Sequence, residues 1–331
     1  MHIPDNYLSP STCGVFAVAM LPLWYYSIKK VKEELPKDKI PLIGVGAAFS
    51  FLMMMFNLPI PGGTTAHAVG GTLIAILLGP YAACIAISVA LLIQAVVFGD
   101  GGLLAFAANA FNMAFILPFT GYYIFRLIKN IWPSALGNKI AILIGAYIGI
   151  NMAALFAAVE FGIQPLLFTD AAGHALYCPY PLNVSVPAML MAHLLIAGIA
   201  EAVFTLAIYE FIIKVSPGIV HNSKKMKLNP IFALILVLIL ASPLGLLASG
   251  TAWGEWGADE IAADNSLGMM LGYIPDKMAN GFSYDALFPD YAVSGIPDAA
   301  GYILSAVIGT ALLIIIFKII GSMLGGANKT A

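Results

Sequence analysis

Apolar residues gather along this chain into nine stretches, near 12–28, 40–56, 67–79, 81–98, 104–125, 140–161, 185–212, 228–248 and 301–320. Shorter polar or glycine-rich connections separate them. A helix rises 1.5 Å per residue, so about 20 apolar residues cross the hydrocarbon of a bilayer. The pattern predicts an all-α, polytopic membrane protein. One stretch breaks the rhythm: 67–79 is too short to cross as a regular helix. It follows NLPIPGGTTAHAVGG at 57–71, which holds two prolines and four glycines. Irregular backbone at membrane depth is tolerated only against protein or a polar cavity. The segment is therefore expected to fold inward as a re-entrant loop, with an ordinary outer loop as the alternative. Beyond residue 227 the layout changes to one span, a polar acidic loop of about 50 residues and a final span. This divides the chain into 1–227 and an appended two-helix module, 228–331.

Composition narrows the class. Hydrophobic residues make up 61% of the 331 and charged residues 10%, with a mean hydropathy of +0.93. A soluble domain carries about 25% charged residues, so that class is excluded. A net charge of −2 offers no basic surface for nucleic acid. Cys13, Cys84 and Cys178 are too few and too scattered for a disulfide framework or a cysteine metal cluster. Position matters more than number for the basic residues. Fourteen of the 15 fall in 29–39, 126–139, 214–227 or at Lys318 and Lys329, and only Lys277 lies elsewhere. Basic clusters mark cytoplasmic loops, and nine spans with the N-terminus outside place every cluster inside. Asp5, Asp100, Asp170 and eight acids within 249–300 then fall in outer loops. Asp5 before the first apolar stretch and basic residues after it reverse a secretory layout. Because His2 is large, Met1 is expected to be retained.

Several chemistries are missing. There is no G-x-x-x-x-G-K-[ST] phosphate loop, no H-E-x-x-H helix and no G-x-S-x-G elbow. The GDGG at 99–102 reads as a turn. Ionisable residues within spans are Glu160, His193, Glu201 and Glu210. Glu160 and Glu210 lie near span ends and are expected to reach water. His193 and Glu201, eight residues apart, either face the bundle as a polar pair or bond to neighbouring helices. His221 reads as solvated among lysines, and His174 with Cys178 makes a poor metal site. His2 is different because of its address. A free α-amine has a pKa near 7.7–8.0, low enough to lose its proton to a competing metal. The Met1 amine, the His2 backbone nitrogen and the His2 imidazole can close fused chelate rings on one cation. A fourth imidazole would complete a nitrogen square suited to Ni(II) or Cu(II), and an inward-folded His67 is the natural donor. A helix N-terminus at His67 disfavours imidazolium. From spacing alone, a free N-terminal tail is the competing reading.

Three motifs, MHIPDNYLS at 1–9, LPIPGGTTAHAVGG at 58–71 and FGDGGLLAFAANAFNM at 98–113, resemble the substrate-binding membrane component of energy-coupling-factor cobalt/nickel transporters, the CbiM/NikM family. The resemblance covers about 1–227. Residues 228–331, with ASPLGLLASGTAWGEWG at 241–257, are similar to the CbiN/NikN companion subunit or the related PDGLE-type domain. The resemblance implies a seven-helix substrate-binding bundle, six core helices plus an N-terminal one, in a prokaryotic plasma membrane. It implies a metal held by Met1, His2 and His67, with no prosthetic group and Ni(II) or Co(II) as transported substrate. Asn109 and Asn112, three apart on a helix, would share one face and orient loop or imidazole groups around the site. Asn6 stands where the family has glycine, and asparagine tolerates positive φ. The implied partners are a transmembrane coupling subunit and two ATP-binding subunits, which accounts for the missing phosphate loop. Gly44 and Ala48 on the second span would permit a close helix approach, with the coupling subunit as one partner. The acidic outer loop of the companion module would attract cations or simply be solvated, and the module would assist metal loading or release.

Rival readings are a stand-alone ion-coupled carrier, an intramembrane metalloenzyme and a passive metal sensor. A carrier predicts an inverted repeat, and none is visible. A metalloenzyme needs an open coordination position and a general base, which a filled square of nitrogens does not leave. Four nitrogens suit nickel and cobalt alike.

Overall fold

The computed structural model describes residues 1–36, 39–219, 226–248, 250–263 and 271–326. His221, Asp264 and Lys329 lie outside the described residues. Nine helical segments follow the nine apolar stretches. Among the described residues, seven of these are long and apolar enough to cross a membrane, and two are shorter.

In chain order they are α1 (Pro10–Glu34), α2 (Ile40–Met55), α3 (Gly71–Leu78), α4 (Pro80–Phe98), α5 (Phe106–Ile131), α6 (Ala135–Leu167), α7 (Leu182–Val215), α8 (Asn229–Leu247) and α9 (Asp298–Ser322). A small antiparallel hairpin, β1 (Leu58–Ile60) with β2 (Thr64–Ala66), lies between α2 and α3. Local chemistry sets the boundaries. The Ser9 hydroxyl accepts the Thr12 N–H at 3.1 Å with Pro10 opening α1, and the Ser134 hydroxyl accepts the Gly137 N–H at 2.9 Å to open α6. Both are N-caps that satisfy otherwise free backbone donors.

The stretch 67–79 departs from a full crossing helix. Residues 67–70 are non-helical, and α3 has 8 residues, about 12 Å of rise. Gly70 and Gly79 bracket it at φ 73° and 95°, a region open to glycine but not to most residues. A Cβ at Gly70 would also strike the Phe49 ring. Leu78 and Gly79 line a crevice with Lys30 and Leu35 at the end of α1, so non-helical chain and half-helix together make the passage. The loop folds inward as expected, with residues 65–71 buried, but the chain runs on to the end of α1 rather than returning to the side it came from.

The appended module packs against the bundle. A Cβ at Gly44 on α2 would come within 2.8 Å of the Phe317 Cβ on α9, and one at Gly309 on α9 would strike Phe51 on α2. Ala48 is fully buried. The close approach expected at Gly44 is therefore spent on the chain's own last helix rather than on a separate subunit. Glu160 corrects a second expectation: it is 3% exposed and accepts the Asn112 side-chain N–H at 3.0 Å, so it faces inward instead of reaching water. Glu210 lies half-exposed, 3.7 Å from Lys139.

Candidate metal centre

The first nine residues tuck into the bundle. Met1, His2, Ile3, Tyr7, Leu8 and Ser9 are all buried. Contacts from several parts of the chain hold them there. The Asn109 side chain pairs with Ile3 as a neighbouring strand would: the Ile3 N–H donates to Oδ1 at 2.8 Å, and Nδ2 donates to the Ile3 carbonyl at 3.0 Å. The Gly102 N–H adds a bond to the same carbonyl at 2.8 Å. Asp5 accepts the Leu103 and Leu104 N–H groups at 2.9 and 2.8 Å, ahead of α5. Ser9 N–H donates to the Gln164 side chain at 3.0 Å, and the Tyr7 hydroxyl donates to the Trp256 carbonyl at 2.7 Å. GDGG has a clear part in this seating. Gly101 has φ 81°, with a Cβ position 3.2 Å from His2, and a Cβ at Gly102 would overlap Asp5.

His67 arrives from the other side. Glu201 on α7 accepts the Val69 and Gly70 N–H groups, both at 2.8 Å, and the Ser50 hydroxyl on α2 donates to the Val69 carbonyl at 2.8 Å. The loop before α3 is thereby held between α2 and α7. The His67 and His2 rings lie 4.9 Å apart between centroids, with His67 Nε2 3.2 Å from His2 Nδ1. His67 Nδ1 faces the Ala68 carbonyl at 3.2 Å. A carbonyl only accepts, so Nδ1 carries the hydrogen and Nε2 presents its lone pair to His2. That is the ordinary way a backbone carbonyl fixes the tautomer of a ligating histidine.

The separation suits a shared cation. With metal–nitrogen bonds of about 2.0–2.1 Å, two donors at right angles lie about 2.8–3.0 Å apart, close to the 3.2 Å found. The Met1 amine, one residue before His2, is buried and pairs with Glu255 at 2.9 Å. Among the described residues, no three His, Cys, Asp or Glu side chains converge as a metal cage. A site here needs backbone nitrogen, which is the donor type the Met1–His2 start offers.

The sequence-chosen residues divide by location. Met1, His2 and His67 come together, and Asn109 seats the segment that carries the first two. Asn112 points to Glu160 instead. Residues Ala110–Ile116 form a π turn, whose wider winding stops positions three apart from sharing a face. His193 and Glu201 do not pair: His193 Nδ1 bonds the Met189 carbonyl at 2.8 Å, and Glu201 holds the loop. His174 stacks on Tyr273 while Cys178 is fully buried.

Three residues escaped sequence reasoning. Asp100 Oδ1 lies 3.3 Å from His2 Nδ1, Glu255 holds the amine, and Tyr291 bonds Asp100. With His2, His67 and Asp290, they line a cavity of about 370 Å³ between bundle and module. Burial and the charge of Asp100 push the Tyr291 hydroxyl well above its ordinary range and hold Asp290 above the usual carboxylate value. Asp100 carried a signal within GDGG. Nothing in one sequence separates Glu255 from its acidic neighbours.

Comparison with known proteins bears on the same regions. Residues 2–219 match the CbiM family, described as the cobalt uptake substrate-specific transmembrane region, and residues 229–326 match the PDGLE domain. The chain is 52% identical over 324 residues to the probable fused nickel transport protein LarMN of Lactiplantibacillus plantarum, covering 97% of each. It is 46% identical to the fused nickel transport protein NikMN of Rhodobacter capsulatus, covering 95% of each. A solved structure of a transition metal transporter is 53% identical, with a TM-score of 0.62 over 65% of this chain and 93% of that one.

Proposed function

Since this chain belongs to the CbiM family of cobalt-uptake transmembrane regions and carries a PDGLE domain behind it, we propose that it is the metal-binding subunit of an ATP-driven uptake transporter and that Ni(II) is its substrate. Its relatives are transport proteins, and the chain is a transport component rather than an enzyme. The observation that carries the reading is the facing pair, His67 Nε2 and His2 Nδ1 at 3.2 Å, with the buried Met1 amine alongside. These groups and the His2 backbone nitrogen supply four nitrogens, a set that a square-planar Ni(II) accepts. Relatives that span nearly the full chain are named for nickel, which supports nickel over cobalt.

Binding alone does not drive uptake. Without a phosphate loop, the chain needs a coupling subunit in the membrane and two ATP-binding subunits. The N-terminus lies outside, where metal arrives, and the C-terminus in the cytoplasm. The experiment is a Ni(II) titration of the purified chain in detergent. One extra residue before Met1, or His67→Ala, is expected to abolish high-affinity binding while the fold is retained. Unchanged affinity after either change would remove the site. Ni(II) uptake by the chain alone in liposomes, driven by an ion gradient, would overturn the ATP-coupled part.

A further inference from the structure

One short run of the appended module, GTAWGEWG at 250–257, touches both pieces of chain that carry the metal donors. Toward the N-terminal segment, the Glu255 carboxylate takes the Met1 amine at 2.9 Å, and the Trp256 carbonyl accepts the Tyr7 hydroxyl at 2.7 Å. Toward the hairpin that leads to His67, the Thr251 carbonyl accepts the Thr64 hydroxyl at 3.1 Å. Gly250 lies so close to the Gly63 carbonyl that a Cβ there would strike it.

The run has a fixed shape. Glu260 ties its two ends together, accepting the Thr251 hydroxyl at 2.7 Å through one oxygen and the Gly257 N–H at 2.9 Å through the other. Gly254 has φ 83°, and a Cβ there would come within 2.8 Å of the Phe161 ring. Trp253 and Trp256 are buried; both rings meet Tyr180, and Trp253 also meets Phe161. These contacts anchor the run to the bundle at α6 and just ahead of α7. Gly250, Thr251, Ala252 and Glu255 line the same cavity as the buried His2 and His67. Neither ligand-bearing piece can swing away without breaking its bonds to the run.

We propose that residues 250–257 act as a clasp on the metal centre: by holding the Met1–His2 segment and the His67 hairpin together, they set how fast metal enters and leaves while donating no ligand. The inference rests on the metal reading above and deepens it. The Tyr7 and Thr64 bonds touch no donor nitrogen, so they contribute equally with and without metal. A contribution equal in both states leaves affinity alone while the closed form predominates. Losing one of these bonds instead enlarges the small open fraction through which metal exchanges, by a factor of about 2–10 for a neutral hydrogen bond. Glu255 does touch a donor. An amine coordinates through its lone pair and keeps two hydrogens, so the carboxylate still has an N–H to accept from in the loaded centre.

The test uses the full-length chain in detergent, mixed rapidly with Ni(II) to read capture and, once loaded, with excess EDTA to read release. Tyr7→Phe keeps the ring against Phe161, and Thr64→Val keeps the side-chain shape; each removes one hydroxyl. Each variant is expected to speed capture and release alike, about 2- to 10-fold. Equilibrium affinity and the visible spectrum of bound nickel are expected to stay as in the wild type. Wild-type rates in either variant overturn the proposal. So does faster release alone, or an altered spectrum, because these bonds would then act on the donors themselves. Thermal melting checks the fold, and if one variant does not fold the other decides. His67→Ala separates the two readings. Retained affinity there brings down the metal site itself, whereas lost affinity there with wild-type rates in Tyr7→Phe and Thr64→Val brings down the clasp alone.

Discussion

Replacing Asn109 by alanine cuts the double bond of hydrogen bridges that seats the N-terminus. Two contacts go, at 2.8 and 3.0 Å. The Ile3 carbonyl keeps Gly102 as a donor, but Ile3 is fully buried and its N–H is left without an acceptor. Each neutral bond contributes about 0.5–1.5 kcal/mol net, and stranding a buried donor costs about 1–3 kcal/mol. The seated arrangement of Met1–Ile3 should lose about 2–4 kcal/mol on these figures. Only the seated form presents the Met1 amine and His2 to His67, and apparent affinity falls with the fraction of competent molecules. At 1.4 kcal/mol per tenfold, the ceiling on the loss is about 30- to 700-fold, approached when the frayed form already predominates and about halved when the two forms are balanced. Asn109→Asp keeps an acceptor for the Ile3 N–H and should lose less. Calorimetric Ni(II) titration in detergent measures both variants, with thermal melting as the control for the bundle. Wild-type affinity in Asn109→Ala would refute the idea that this side chain prepares the site.

Two further changes probe the frame around the centre. Glu201→Gln should lower the melting temperature and weaken Ni(II) binding together, because charge-assisted bonds to Val69 and Gly70, each about 1.5–3 kcal/mol, hold the His67 loop; unaltered melting and binding would contradict it. Gly309→Leu forces a side chain into Phe51 and should destabilise the chain by about 1–3 kcal/mol, read as a lower melting temperature. Stability equal to wild type would show that α9 is free to move away from α2.

Much of this was legible from residue order because hydropathy sees membrane helices directly. Nine stretches became nine helical segments, and the proline- and glycine-rich run at 57–71 marked where regular helix stops. His2 stood out because only its position lets an amine, an amide and an imidazole chelate together. What escaped depends on directions that spacing does not encode. Glu160 sits near a helix end, yet Asn112 draws it inward. The π turn rotates Asn112 away from Asn109, which a regular helical wheel places on one face. Glu255 and Tyr291 reach the centre from the far end of the chain, 254 and 191 residues from their partners Met1 and Asp100. Gly44 promised a close helix contact without naming the helix, and only packing shows that Phe317 takes it.

The most direct test of the central claim is X-ray absorption at the nickel edge on the purified chain loaded with equimolar Ni(II). A planar shell of four nitrogens at short distance, with the pre-edge feature of square-planar nickel and no sulfur neighbour, is predicted. A six-coordinate shell dominated by oxygen would contradict the account.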